Sequence, residues 1–150
     1  MQKATLALLI GGLLPAVLFG ISGFLQKTSA KAGIGTGPYL IVIGLVVLAV
    51  GVLVTVVQGD RAFNLVSVLN TCGYGVFWSS GIMCIALALA RYDARISQLV
   101  PLYNMNTLVA MSLGLTILGE WREVNLWQLL AGAALAVSGG ILAATANSTR

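Results

Sequence analysis

The chain has 150 residues, of which 59% are hydrophobic and only 8% charged, with a mean hydropathy of +0.99 and a net charge of +4. A soluble domain carries about 25% charged residues and spreads them to make polar helix faces, so that class is excluded. With it goes the nucleic-acid partner that a basic soluble chain would suggest: here a few Lys and Arg anchor helix ends at lipid headgroups.

The charged residues leave five uncharged intervals, 4–26, 32–59, 62–90, 96–119 and 124–149. Each exceeds the roughly 20 apolar residues that a bilayer crossing needs. The apolar runs are continuous rather than alternating, which predicts helices and not a β-barrel. The expected fold is an all-α membrane protein, a five-transmembrane-helix bundle in one domain over residues 1–150. The predicted helices are 4–27, 38–58, 63–90, 96–119 and 125–146. The bilayer is the first partner, and the protein is expected to be multi-pass.

The first predicted helix begins like a signal peptide, but its apolar run outlasts the usual 7–15-residue signal core. It carries Pro15, which has no N–H for the carbonyl of Gly11 and should kink the axis. Lys27 closes it. A Gly-rich turn over 32–38 leads to the second helix, where Gly37, Gly44 and Gly51 share a face. The third helix is the most polar, with Asn70, Thr71, Tyr74, Trp78, Ser79 and Ser80; Asn70, Tyr74 and Trp78 lie on one face. Its two cysteines, Cys72 and Cys84, are about 18 Å apart along a helix and cannot bond to each other there. The fourth helix contains Pro101, then Tyr103, Asn104, Asn106 and Thr107, and ends at Glu120. Trp121 and Trp127 flank the next loop, as interfacial aromatics do. In the fifth helix Gly132, Ala136, Gly140 and Ala144 recur every four residues, with Gly139 beside them. Small residues let helices pack closely in lipid, either between protomers or within one.

No catalytic constellation is visible. The chain has no His, and its acids are Asp60, Asp93, Glu120 and Glu123, all at helix ends or loops. Neither an enzyme activity nor a metal or other cofactor is expected. What remains is uncharged polarity at depth. Asn is costly in hydrocarbon unless paired or wet, so the cluster predicts either inter-helix bonding or a polar pathway beside helices broken at Pro15 and Pro101. A path between helices one, three and four would be lined by Asn70, Tyr74, Trp78, Asn104 and Thr107. Lys27 would stand at its mouth or snorkel to headgroups.

Two stretches carry a resemblance. One is Ala88-Leu89-Ala90, a polar loop, then Ile96-Ser97-Gln98-Leu99-Val100-Pro101-Leu102-Tyr103-Asn104. The other is Leu115-Thr116-Ile117-Leu118-Gly119-Glu120-Trp121 with Trp127-Gln128, Gly132 and Gly139-Gly140. Together with Phe19-Gly20-Ile21-Ser22-Gly23-Phe24-Leu25-Gln26-Lys27, these resemble the EamA-type repeat of the drug/metabolite transporter (DMT) superfamily. The resemblance implies a half-transporter. Most members fuse two repeats, so this chain would need a partner: a homodimer, parallel or antiparallel, or a heterodimer with a similar small chain. The helix-five stripe would be the interface. The resemblance further implies a small-molecule substrate and a bacterial cytoplasmic (inner) membrane; Glu120, the one acid its pattern marks, caps helix four beside Trp121 and is read as structural, with a coupling role as the alternative. The chain also resembles the small multidrug resistance branch, but its first helix lacks the acidic residue that branch uses to exchange protons. The competing reading is a non-transporting scaffold or an accessory subunit of a heteromeric carrier or flippase.

Counting Lys and Arg gives a shallow bias. Lys3, Arg61 and Arg122 fall on the N-terminal side, against Lys27, Lys31, Arg91, Arg95 and Arg150 on the other. This favours N-out, C-in, and without Arg150 it nearly vanishes. An odd number of crossings puts the termini on opposite faces. An N-terminal tag and a C-terminal reporter should therefore show opposite accessibility in intact cells; both termini on the same face would require an even number.

Overall fold

The computed structural model describes residues 2–59 and 61–146; Asp60, Arg150 and the side chain of Lys3, which enter the charge count, lie outside what is described. Among the described residues every regular element is helical. Helix α1 (Gln2–Leu8) passes through a π turn (Leu9–Leu13) into α2 (Leu14–Lys31). Then come α3 (Thr36–Gln58), α4 (Leu65–Arg91), α5 (Ile96–Tyr103) and α6 (Asn106–Thr116). A 3-10 turn (Glu120–Arg122) precedes α7 (Leu126–Ala144).

Among the described residues four segments are long and apolar enough to cross a membrane: Thr5–Lys31, Thr36–Gln58, Leu65–Arg91 and Leu126–Ala144. They correspond to the first, second, third and fifth predicted helices. This is the composition of an integral membrane protein.

Pro15 is accommodated by the π turn that precedes it, in which the Leu14 N–H bonds to the Leu9 carbonyl; such a local widening is a place where helices bend. The wider turn gives the ring room against the preceding carbonyls, and the helix continues.

The predicted fourth helix over 96–119 is not one helix. It stops at Tyr103 and restarts at Asn106. Pro101 gives no N–H to the Ser97 carbonyl. Beyond it the Met105 N–H turns to Leu102 (3.2 Å) and the Thr107 N–H to Asn104 (3.1 Å), which tightens the chain to an i–3 pattern. Asn104 and Met105 keep right-handed dihedrals, with ψ of −12° and −9°. The break is thus an overwound turn and not a chain reversal.

Ends are set by local chemistry. The Asn64 side chain accepts from the Val66 N–H (2.9 Å) and starts α4; Asn125 does the same for α7 through Gln128 (3.2 Å). Gly59, at φ 69°, stops α3 in the left-handed region that glycine enters freely.

Packing divides the chain into two compact units, Met1–Asp93 and Ala94–Arg150. In the first, α2 and α3 each pack on α4, and Gly23, Gln26, Ala86 and Leu89 are buried. In the second, α5 packs along α7. Gly140 is the buried residue of that seam: a Cβ there would lie 3.0 Å from the Pro101 carbonyl oxygen and 3.6 Å from Met105 Cγ. The Gln98 amide donates to the Ala146 carbonyl (2.7 Å), tying the start of α5 to the end of α7. Gly114 is also buried, under the carboxylate of Glu120.

The two glycines should respond differently. Gly140→Ala forces a Cβ against backbone and is expected to destabilise the protein by about 1–3 kcal/mol, the usual scale of overpacking. Gly114→Ala meets only the flexible end of Glu120, 2.6 Å away, and should cost less because that side chain swings aside. Thermal unfolding in detergent measures both. A Gly140→Ala variant as stable as the parent would show that the α5–α7 seam does not depend on this approach.

Candidate functional site

The polar residues of the spans fall into two groups once their hydrogen bonds are followed. The hydroxyls are answered by their own helices. Thr71 Oγ1 donates to the Ser67 carbonyl (2.8 Å), Ser80 Oγ to Val76 (2.7 Å) and Ser79 Oγ to Val76 (3.2 Å). Thr107 Oγ1 donates to the Asn104 carbonyl at 2.9 Å. A hydroxyl bonded back one turn imposes no further demand on its surroundings.

The amides are not answered this way. Asn70, Asn104 and Asn106 are exposed, and no side-chain hydrogen bond joins them to any described residue. Asn70 shares its face of α4 with Tyr74, which is 68% exposed, and with the partly covered Trp78. At 1.5 Å per residue, α4 is about 40 Å long and Trp78 lies near its middle. Asn104 sits in the turn between α5 and α6. Within the first unit the structure gathers Asn70, Tyr74 and Trp78 along one helix. Within the second it gathers Asn104 and Thr107 at the break.

Lys27 was expected at the mouth of a path or among headgroups. In the structure it pairs with Asp93, with Nζ 2.8 Å from Oδ1. Its side chain is 15% exposed while that of Asp93 is 94% exposed. The pair ties the end of α2 to the loop after α4. Asp93 takes φ 45°, the one non-glycine positive φ among the described residues; Asp tolerates this region better than most residues.

The small-residue stripe of α7 also divides. Gly140 is buried and Ala144 half-buried in their own unit, where Leu129, Ala133 and Val137 continue that face. Gly140 therefore packs on Pro101 of its own chain and is not open to a second protomer. Gly132, Ala136 and Gly139 remain exposed on an adjacent face.

Glu120 opens the 3-10 turn and folds over Gly114, closing the end of α6. Beside it, the Arg122 guanidinium lies 4.9 Å from the Trp121 ring, a cation–π contact. Trp121 and Trp127 are both exposed, as an interfacial position requires.

Sequence reasoning missed two residues. Asp93 was read as a loop acid, with nothing to mark its pairing with Lys27. Gln26 was read only as part of a helix-end signature, yet it is the one buried polar side chain among the described residues, and its Nε2 has no partner. No group of three or more His, Cys, Asp or Glu suited to a metal occurs among the described residues. Compared with known protein families, curated proteins and solved structures, the chain matches none.

Proposed function

We propose that this chain is one subunit of a membrane transporter for small organic solutes, completed by a second copy or by a similar small chain. The observation that carries this is a set of amides without hydrogen-bond partners among the described residues, with aromatic faces beside them, on the membrane-length α4 and at the α5–α6 break. Asn70, Tyr74 and Trp78 on α4, and Asn104 at the α5–α6 break, offer polar groups to something other than their own unit. An amide facing hydrocarbon would cost more than a kcal/mol or so, so these groups call for water, a solute or a partner helix. Solute sites in transporters lie near the midplane, beside interrupted helices, and α4 and the α5–α6 break supply both features.

The resemblance to a single EamA-type repeat of the drug/metabolite transporter superfamily supports the same reading, and so does its half-transporter implication. In this proposal α5 and α6 together make the fifth crossing. Residues 96–116 span about 31 Å at helical rise, and the right-handed turn at Asn104 lets the two helices run on. Gly132, Ala136 and Gly139, the exposed part of the α7 stripe, would carry the protomer contact. The membrane would be a bacterial inner membrane, as the resemblance implies.

Reconstituted protein should catalyse uptake of at least one solute class from a panel of neutral, cationic and anionic metabolites. Asn70→Ala and Trp78→Ala should each lower that rate about five- to tenfold, the scale of one lost contact, without changing helix content or oligomer size. A cysteine scan sharpens the test once the exposed Cys72 and Cys84 are replaced. Thiols introduced by Tyr74→Cys, Trp78→Cys, Asn104→Cys and Thr107→Cys should react with aqueous reagents, and solute should protect them. Unreactive thiols there, with labelling on the opposite helix faces, would make the polar groups inter-helix bonds and would favour the scaffold or accessory role.

A further inference from the structure

We propose that the cleft where the ends of α2, α3 and α4 meet is an oxyanion subsite, binding one oxygen of a carboxylate or phosphate on Gln26 and the N-terminus of α3. Gln26 is 7% exposed, and its Nε2 is buried without a hydrogen-bond partner. A buried donor left unmet costs about 1–3 kcal/mol, so one that a native protein keeps calls for a partner. The cleft that Gln26 lines has room for about 10 Å³, which is about one oxygen-sized group. Ala30, Ala86 and Ala90 line it as well, and their short side chains leave that room.

The opposite wall is Thr36 and Tyr39, in the first turns of α3. Its N-cap is Gly35, which has no side chain to cap the helix. The first-turn N–H groups of Thr36 and Gly37 are therefore uncapped, and Pro38 has none to offer. The N-terminus of a 23-residue helix carries partial positive charge and favours an anion. Each half of the site would be weak alone. An orphan amide donor and an uncapped helix start lining the same cleft complement a negative oxygen.

The surrounding charge agrees. Lys27 and Lys31 close α2, and Arg91 closes α4. Asp93 is the one acid among the described residues of this unit, and it is held by Lys27. The site does not depend on the transport proposal; a chain that moved no solute could still bind an oxyanion here.

The test uses the full chain purified in a neutral detergent. Melting is followed in inorganic phosphate and in acetate, against chloride at equal ionic strength, and in micelles doped with dioleoyl phosphatidic acid or phosphatidylcholine. Near saturation an oxyanion should raise the melting temperature by about 2–4 °C. Gln26→Leu should abolish the rise while melting at or above the parent in chloride, because the orphan donor is gone. Gln26→Glu should also abolish it, by placing the protein's own carboxylate beside the helix start, and covers the case in which the Leu variant fails to fold. Stabilisation by phosphate or acetate identifies a free anion as the ligand; stabilisation by phosphatidic acid alone identifies a lipid headgroup. If no oxyanion stabilises the parent, or if the Gln26 variants keep the response, the cleft holds only water and the proposal falls. Failure of solute uptake leaves each of these outcomes readable.

Discussion

Hydrocarbon offers no hydrogen bonds, so each polar group that a helix takes across a bilayer must be answered by protein, by trapped water or by a ligand. This chain meets that requirement at two ranges and leaves a third set of groups open. Its hydroxyls are answered within one turn, as Thr71 and Ser80 illustrate. Its long-range answers are few: Gln98 reaches the Ala146 carbonyl, and Lys27 reaches Asp93. A third set, the Gln26 Nε2 and the amides of Asn70, Asn104 and Asn106, has no hydrogen-bond partner among the described residues. With the first two ranges closed, the third set is where the proposed solute or partner would act.

The scarcity of burial points the same way. Among the described residues no large side chain is fully buried, and most Leu, Val and Ile of the spans are exposed. For lipid-facing residues this is no defect, since tails are as apolar as Leu and give helices no hydrophobic reason to pack. Association must then rest on close backbone approach and polar contacts. The α5–α7 seam has both, with Gly140 against the Pro101 carbonyl and Gln98 on Ala146. Exposed glycines such as Gly132 and Gly139 offer close approach that nothing in the chain takes up.

Much of the fold was legible because charge and apolar length are local properties. The second helix was expected at 38–58 and is Thr36–Gln58; the third was expected at 63–90 and is Leu65–Arg91. The break in the fourth was only half legible. Pro101 announced a lost hydrogen bond, but where the helix gives way depends on how residues 102–107 repair the ladder. The α7 stripe showed a face of small residues without saying what lay against it. Periodicity fixes which residues share a side and is silent on the neighbour, so Gly140 and Gly132 looked equivalent. The Lys27–Asp93 pair spans 66 positions, and the Gln26 cleft needs the ends of three helices. Neither leaves a mark in any one stretch of sequence.

Lys27 and Gln26 are neighbours on α2, and their fates differ for a physical reason. A Lys at a helix end carries a full charge on a long stem; it can reach a loop carboxylate, and Asp93 is placed to receive it. A Gln amide has a shorter reach and a fixed fork of donors and acceptor, so it stays where its helix puts it, in a cleft walled by alanines and by an uncapped helix start. Replacing it by an apolar residue would remove an unmet donor at little cost to packing. Its presence therefore reads as a functional constraint on this end of the helices, where basic side chains predominate. Lys27, Lys31 and Arg91, at this end of the first unit, are among the charges that the sequence bias would put on the cytoplasmic side. An oxyanion site there would face the cytoplasm in the N-out orientation and would be reached from that side, at the ends of the helices and away from Asn70, Tyr74 and Trp78 of α4.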